Sequence, residues 1–200
     1  MKKSVKEKKE RALGAKLFLK AERCGSPKCV MVRRPYRPGE HGHDRRRRIS
    51  DYGKQLQEKQ KLQFTYGLTN RQLKKVFEEH EGDPKKIAET LETRLDRIVY
   101  LSGLAPSVRV ARQEVSHGHI LINGRKTTIP SYHVKENDVI SIRPASRGKG
   151  MFLDLDERLK NYTPPEWLQV NPHTGDVKRV GTPSLESMES FDVGLVGEFY

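Results

Sequence analysis

The sequence has two cysteines, one tryptophan and only 7% aromatic residues among its 200 positions, and its hydrophobic share is 34%. Two cysteines are too few for the disulfide framework of a small secreted protein, so we expect reduced thiols. The low apolar content predicts small cores. No apolar run approaches the length of a membrane span and no signal peptide is recognisable, so we expect a soluble, cytoplasmic protein without membrane contact.

Positive charge is in excess. The 39 Lys and Arg residues stand against 26 Asp and Glu, which gives a formal charge of +13 and a pI near 9.8. Such a balance favours a polyanionic partner, either nucleic acid or an acidic membrane surface. Residues 1–50 carry 17 basic and five acidic side chains, whereas residues 145–200 carry six basic and nine acidic ones. We therefore expect the first quarter of the chain to supply most of the electrostatic attraction.

Residues 107–124 are the most informative stretch. Apolar side chains recur at three- and four-residue steps and predict the packed face of a helix, while polar side chains with the same spacing predict an exposed face. The polar set comprises Arg109, Arg112, Gln113 and Ser116. Ser107 is suited to be the N-cap, and Asn123-Gly124 predicts a tight hairpin turn between two strands. A helix that leads into a hairpin, with one polar face, is typical of an RNA-binding surface.

Residues 33–48 cannot build a core, because they include seven arginines, two prolines and two glycines. This composition favours an extended arm that becomes ordered when it meets an anionic partner. Tyr36 lies among the arginines and could stack on a base. The basic run alone is also compatible with a nuclear-localisation signal or a solubilising tail.

Four regions follow from these patterns. Residues 1–49 form a basic extension and arm, residues 50–90 a helical domain, and residues 91–144 a module of two helices and a hairpin; residues 145–189 remain an acidic tail region without an assigned fold. We expect the apolar C-terminal segment 190–200 to rejoin the helical domain. The predicted class is α+β: a mostly helical N-terminal domain with a basic extended arm, plus an inserted module in which two helices pack on a small antiparallel sheet.

A series of short motifs, in this order, closely resembles bacterial-type small-subunit ribosomal protein four. The match covers most of residues 14–143. Its most specific elements are Lys16-Leu-Phe-Leu-Lys20, Ser26-Pro-Lys-Cys29, Arg33-Arg-Pro-Tyr36, Ser50-Asp-Tyr52, Tyr66-Gly67, Arg94-Leu-Asp96, Ala111-Arg-Gln113, His117-Gly-His-Ile120 and Asp138-Val-Ile140. The chain departs from the family at Val108, where arginine is usual, and at Leu101, where a basic residue is common.

The resemblance implies a non-enzymatic structural protein in the ribosome. It would bind small-subunit ribosomal RNA early in assembly and lie beside ribosomal protein five and other small-subunit proteins, close to where mRNA enters, and some family members repress their own mRNA. No homo-oligomer is expected. With the residue patterns, it predicts these RNA-binding side chains: Arg33, Arg34, Tyr36, Arg37, His41, Arg45, Arg46, Arg47, Arg48, Tyr52, Lys54, Lys61, Tyr66, Arg94, Arg109, Arg112, Gln113, His117, His119 and Lys126.

The chain also carries residues that could suggest a metal site or an enzyme. Cys24 and Cys29 are half of a zinc site, but metal-binding members of the family place a first cysteine pair where this chain has Glu7 and Glu10. We therefore predict no metal and no cofactor, and expect the two glutamates to neutralise nearby basic side chains. Possible acid–base pairs lack a convergent pocket motif, which argues against an enzyme. The alternatives are an RNA-modifying enzyme or tRNA-synthetase appendage, and a non-ribosomal RNA chaperone or mRNA regulator.

Overall fold

The computed structural model describes residues 6–44, 48–148, 150–160, 162–183 and 191–200. The chain divides into two compact units. Unit 1 comprises residues 1–87 and 188–200, and unit 2 comprises residues 88–187. The boundary falls within one helix, Pro84–Glu92, and the two units are described separately below.

Unit 1 is helical. Its α-helices are α1 (Lys6–Leu13), α2 (Ala21–Cys24), α3 (Val30–Arg33), α4 (Asp51–Thr65), α5 (Asn70–Glu79), the start of α6 (Pro84–Glu92), and α10 (Val193–Gly197). The longer helices begin at side-chain caps: the Ser50 hydroxyl accepts the Gly53 N–H, and Thr69 forms a reciprocal capping box with Gln72. Leu62, Leu73 and Phe77 are buried between these helices and form the centre of the core.

The C-terminal segment of the chain packs on α4 of unit 1. The Lys59 ammonium lies 3.7 Å from the centroid of the Phe199 ring, and the Tyr52 ring is 5.6 Å from the same ring. The Tyr200 hydroxyl bonds to the Asn70 side-chain oxygen at 3.1 Å. Burial under these aromatic rings lowers the pKa of Lys59. Val193 and Val196 of α10 are the buried residues of this segment, while the aromatic rings at positions 199 and 200 cover the surface of α4 and α5.

Unit 2 combines helices with a five-stranded antiparallel sheet, as the α+β prediction required. The helices are α7 (Leu95–Leu101), α8 (Val108–Ser116) and α9 (Leu155–Lys160), with short 3₁₀ turns at Pro144–Ser146 and Gly150–Phe152. The strands are β1 (Ile120–Ile122), β2 (Arg125–Lys126), β3 (Val139–Ile142), β4 (Leu168–Val170) and β5 (Val177–Arg179), arranged in the order β2-β1-β3-β5-β4.

The strand register explains how the core of unit 2 forms. Ile120 pairs with Ile142 and Ile122 pairs with Ile140, so four isoleucines lie on one face of the sheet. Because side chains alternate along a strand, the intervening residues point to the other face. The isoleucines belong to one buried cluster with α7 and α8 side chains such as Val99, and α7 and α8 pack closely on each other.

The hairpin turn fits the sequence prediction. Asn123 and Gly124 both have positive φ angles, 50° and 76°, which this dipeptide tolerates better than most. The Asn123 side chain donates to the Asp138 carboxylate at 2.8 Å and accepts the Val139 N–H at 2.9 Å. Asn123 therefore fastens the turn to the start of β3. The return strand β2 has only two residues, Arg125 and Lys126.

The region left without a fold, 145–189, is the main structural difference from the sequence analysis. Its described part supplies α9, β4 and β5, and β5 pairs with β3. Phe152, Leu159 and Trp167 belong to the same buried cluster as the four isoleucines. The sheet extends beyond residue 144, because β5 pairs with β3 and β4 pairs with β5, so residues 91–144 form part of the larger compact unit 2.

Candidate RNA-binding surface

Helix α8 presents a polar face to solvent. The Ser107 hydroxyl accepts the Val110 N–H at 3.3 Å and caps the first turn, and Gly118 ends the helical segment with a φ of 71°. Ala111 and Val115 are buried against the rest of unit 2, whereas the polar residues predicted for the other face are exposed or half-buried. These are Arg109, Arg112, Gln113, Ser116 and His117. We call this set the α8 face.

Lys126 extends the α8 face across the hairpin. It is exposed on β2, and a Cβ atom at Gly118 would lie 2.1 Å from the Lys126 Cε. The missing side chain at Gly118 thus leaves room for the aliphatic stem of Lys126 beside the end of α8. His117 follows α8 and is also exposed, and the Lys126 stem lies beside Gly118, the next residue in the chain.

A buried carboxylate lies directly behind the α8 face. The Asp96 side chain, in the first turn of α7, accepts two hydrogen bonds from Arg94, at 3.1 Å to Nε and 2.8 Å to Nη2. The same carboxylate lies 4.0 Å from Nη1 of Arg112. The proximity of Arg112 to Asp96 could not be predicted from the sequence, because it depends on how α7 and α8 pack.

Three side chains predicted to contact RNA are buried instead. Tyr66 belongs to the core of unit 1, since it lies four residues after Leu62 on the same helical face. Arg94 is held by Asp96. The Nδ1 atom of His119 lies 2.9 Å from the Ser146 hydroxyl oxygen, and the imidazole and the Phe152 ring form a T-shaped pair. Burial leaves little of these three side chains on the surface, and direct contact with RNA at these positions stays a prediction.

The basic arm has a defined structure in its described part. The Tyr36 ring lies between the His43 ring, with centroids 3.8 Å apart, and the Arg11 guanidinium, 4.7 Å from the ring centroid. Arg11 also donates to the carbonyl oxygens of Tyr36 at 2.9 Å and Arg37 at 3.2 Å. Arg11 of α1 thus binds the backbone of the arm, and a 3₁₀ turn, Glu40–His43, closes its described part.

The remaining predicted residues of unit 1 divide by exposure. The arm residues Arg33, Arg34, Arg37, His41 and Arg48 are exposed, as are Tyr52 and Lys54 on α4, while Lys61 is half-buried. His41 pairs with Asp44, and the lysines pair with Asp51 and Glu58. Hydrogen bonding from Lys54 lowers the pKa of Asp51. Arg45, Arg46 and Arg47 lie outside the described residues. Arg11 is the residue that sequence reasoning missed, because nothing local links it to Tyr36.

The two cysteines lie beside a buried glutamate. Cys24 and Cys29 are both buried, and the Cys24 sulfur is 3.7 Å from Oε1 of Glu10. Burial raises the pKa of Cys24, which favours the protonated thiol. Oε1 of Glu10 accepts the backbone N–H groups of Leu17 and Leu19, so this residue does not neutralise an arginine as expected. Glu7 does pair with Lys20 and Arg23.

This cluster is a poor fit for zinc. A structural zinc ion needs four ligands, usually rich in thiolates, and the Glu10 oxygen nearest the cysteines is engaged by two backbone amides. Among the residues that the structure describes, no group of three or more His, Cys, Asp or Glu side chains is arranged to hold a metal ion. The absence of metal remains a prediction.

None of the described helices is long and apolar enough to cross a membrane.

Comparison with known proteins agrees with this architecture. The family model described as the Ribosomal protein S4/S9 N-terminal domain matches residues 2–96, and the S4 domain model matches residues 93–140. The chain is 46% identical over 192 residues to small ribosomal subunit protein uS4 of Halothermothrix orenii, covering 94% of this chain and 92% of the relative. The chain belongs to the uS4 family.

Other uS4 proteins are similar over nearly the same length. The uS4 protein of Thermus thermophilus is 43% identical over 194 residues, which cover 94% of this chain and 92% of the relative. That of Clostridioides difficile is 43% identical over 180 residues, which cover 88% and 86%. The resemblance seen in the sequence is therefore confirmed. Members of the uS4 family are ribosomal structural proteins and not enzymes, which confirms the non-enzymatic prediction.

Proposed function

We propose that this chain is a structural protein of the small ribosomal subunit that binds small-subunit ribosomal RNA directly. The observation that carries the proposal is the α8 face, where Arg109, Arg112, Gln113 and His117 share the solvent side of a capped helix. Arginine pairs with phosphate through two parallel hydrogen bonds, and amide and imidazole groups can bond to sugars and base edges in irregular RNA. The S4 domain match covers this helix.

The arm of unit 1 supplies the second part of the proposed contact. Arg33, Arg34 and Arg37 are exposed beside a tyrosine whose ring is already held by Arg11 and His43. A loop that is ordered before binding loses less conformational entropy when it binds. The net charge of +13 adds long-range attraction to RNA. Binding through both units should therefore be tight and strongly dependent on salt.

The family resemblance extends the proposal to position and regulation. We infer that the protein acts early in small-subunit assembly, lies beside ribosomal protein five and other small-subunit proteins near the point where mRNA enters, and can repress translation of its own mRNA. Sedimentation of the tagged protein in cell extract tests the central claim. The protein should appear in small-subunit fractions and protect defined helices of the RNA in a footprint; its absence from those fractions would refute the proposal.

Removing both arginines of the α8 face should weaken RNA binding and reduce its salt dependence. Each phosphate contact that is lost lowers the slope of log affinity against log salt by about one, so Arg109→Ala with Arg112→Ala should lower it by about 2. Filter binding to small-subunit ribosomal RNA at several salt concentrations measures this. The control removes two exposed charges elsewhere in unit 2, Lys160→Ala with Lys178→Ala. An unchanged slope in the arginine variant would contradict the α8 contact.

A single methyl group should disrupt the arm. A Cβ atom at Gly42 would lie 2.1 Å from the Arg37 carbonyl oxygen, which is backbone and cannot easily move away. Such overpacking costs about 1–3 kcal/mol, so we expect Gly42→Ala to lower ribosomal RNA affinity by about tenfold, equivalent to about 1.4 kcal/mol. Gly197→Ala is the control, because a Cβ there meets nothing within 4 Å. Equal affinities for both variants would show that the arm conformation does not matter.

A further inference from the structure

Arg112 differs from Arg109 in what lies behind it. Both belong to the α8 face, but only Arg112 pairs with the Asp96 carboxylate, at 4.0 Å. Within the described part of the chain, Arg109 takes part in no ion pair. Arg112 also keeps 36% of its side-chain surface exposed, so it faces both the buried carboxylate and the solvent. Arg112 is therefore held by an ion pair with a buried carboxylate, which we call its tether, and Arg109 is not.

The Asp96 carboxylate is held from several sides. The Asp96 side chain is 1% exposed, and its two oxygens are fixed by the paired hydrogen bonds from Arg94. The backbone at this point is also fastened, because the N–H groups of Leu95 and Asp96 donate to the carbonyl oxygens of Tyr132 and Pro130. A carboxylate held by its own backbone and by a second arginine cannot follow a moving partner. It therefore restricts where the Arg112 guanidinium can lie.

We propose that Asp96 is a positioning residue that makes the α8 face selective for structured ribosomal RNA over other polyanions. The inference rests on the proposed function, since it assumes that Arg112 contacts RNA. A pre-positioned guanidinium loses little rotamer freedom when it meets a phosphate in the matching place. A phosphate elsewhere must pull the guanidinium away from the buried carboxylate. The negative charge of Asp96 thus favours binding of an RNA whose phosphate lies where the guanidinium is held, and disfavours binding of an RNA whose phosphate lies elsewhere.

The chemistry of arginine makes this discrimination possible. Its planar guanidinium has five N–H donors on a rigid fork, so one edge can address a carboxylate while another addresses a phosphate. A lysine ammonium is a compact point charge on a flexible stem and cannot be oriented in this way. The Arg94, Asp96 and Arg112 cluster retains one net positive charge, which leaves the general attraction to RNA in place.

The test compares affinity for small-subunit ribosomal RNA with affinity for random-sequence RNA of equal length, using the full chain. Fixing a flexible side chain costs about threefold to tenfold in affinity. We expect Asp96→Asn to lower the preference for ribosomal RNA by up to about tenfold, with binding to random RNA unchanged or slightly tighter. An unchanged preference in Asp96→Asn would overturn the proposal. If the wild-type protein itself shows no preference for ribosomal RNA, that result contradicts the proposed function and not only the role of Asp96.

A double-mutant cycle separates positioning from general structural damage. Asp96→Asn should have no further effect on the preference once Arg112 is already Ala, because the group that it positions is gone. The matched cycle uses Arg109→Ala, where the effect of Asp96→Asn should persist in full. Equal effects of Asp96→Asn in both backgrounds would mean that Asp96 acts only through the fold, and would overturn the proposal.

A second variant avoids any change in the buried residues. Arg112→Lys keeps the charge at a half-exposed position, so the salt slope should stay near its wild-type value. The preference for ribosomal RNA should fall as far as it does in Asp96→Asn, since lysine cannot use the fork geometry. A variant with wild-type preference would overturn the proposal even if Asp96→Asn fails to fold.

Discussion

Replacing Glu114 with Gln should stabilise unit 2 by about 3 kcal/mol at pH 8 and have little effect near pH 4. Glu114 lies on the buried side of α8, and neither carboxylate oxygen has a hydrogen-bond partner among the described residues. Burial raises the pKa of this carboxyl from 4.5 to about 7, although the positive charge of Arg158 on α9 opposes the rise. Gln has nearly the same shape and does not ionise.

The direction of the pH dependence follows from the two states of the chain. The folded state holds a proton on Glu114 up to a pKa of about 7, whereas the unfolded chain releases it near 4.5. Between these values the folded protein binds more protons, so its free energy of unfolding falls as the pH rises. The contribution of Glu114 to the free energy of unfolding is fully present below pH 4.5, and it is lost by about pH 7 to 8. The Gln variant should lack this dependence.

Trp167 provides the measurement. It is the single tryptophan of the chain and is buried in the core of unit 2, so its fluorescence during urea unfolding reports on that unit. The control is Glu136→Gln, which makes the same chemical change at an exposed carboxylate of unit 2 and should leave the unfolding curve unchanged. If the wild-type and Glu114→Gln proteins have parallel pH profiles between 4.5 and 8, Glu114 ionises freely in the folded protein.

The case of Glu114 shows where sequence reasoning ends. The pattern of residues 107–117 was sufficient to predict α8, its cap and its polar face, because these depend on contacts within three or four positions. Glu114 is next to the apolar Val115, but its burial in the core of unit 2 and the influence of Arg158 on its pKa depend on tertiary packing, which local spacing does not show. The sequence also left β4 and β5 unassigned, because three-residue strands carry little local signal and form only by pairing with β3.

The same limit applies to the proposed RNA contacts. Exposure of Arg109, Arg112 and Gln113 could be predicted from helical spacing, since one face of α8 packs and the other does not. Burial of Arg94 and His119 could not, because their partners come from elsewhere in the fold. A family motif identifies which residue types recur. It does not show whether a given side chain would contact RNA itself or would position a neighbouring side chain that does.

Replacing Glu10 with Ala should destabilise the N-terminal part of unit 1 by about 3 to 5 kcal/mol. The carboxylate is fully buried, and its Oε1 accepts the N–H groups of Leu17 at 3.1 Å and Leu19 at 3.2 Å. A hydrogen bond to a charged group contributes about 1.5–3 kcal/mol, and here a single oxygen serves two donors. Ala would leave both backbone amides without this acceptor and open space beside Cys24.

Hydrogen exchange at the amides of Leu17 and Leu19 measures the loss directly. Loss of about 3 kcal/mol corresponds to an exchange rate at least about a hundredfold higher. Glu10→Gln should have a much smaller effect, because its amide oxygen can take the place of Oε1 and accept both hydrogen bonds without the charge. Cys24 should also react with an alkylating reagent faster in Glu10→Ala than in the wild type, since its burial depends on the same packing.

Glu7→Ala is the matched control, since it removes the other glutamate of α1. Glu7 pairs with Lys20 at 3.6 Å and Arg23 at 3.1 Å, and these partners are 37% and 47% exposed. Glu7 is 19% exposed, but its partners reach solvent and it binds no backbone amide of this segment, so exchange at Leu17 and Leu19 should change little. Equal effects of Glu7→Ala and Glu10→Ala would show that overall negative charge on α1, and not the buried acceptor, holds this segment. A large effect confined to Glu10→Ala would show that a carboxylate organises the segment around the cysteine pair.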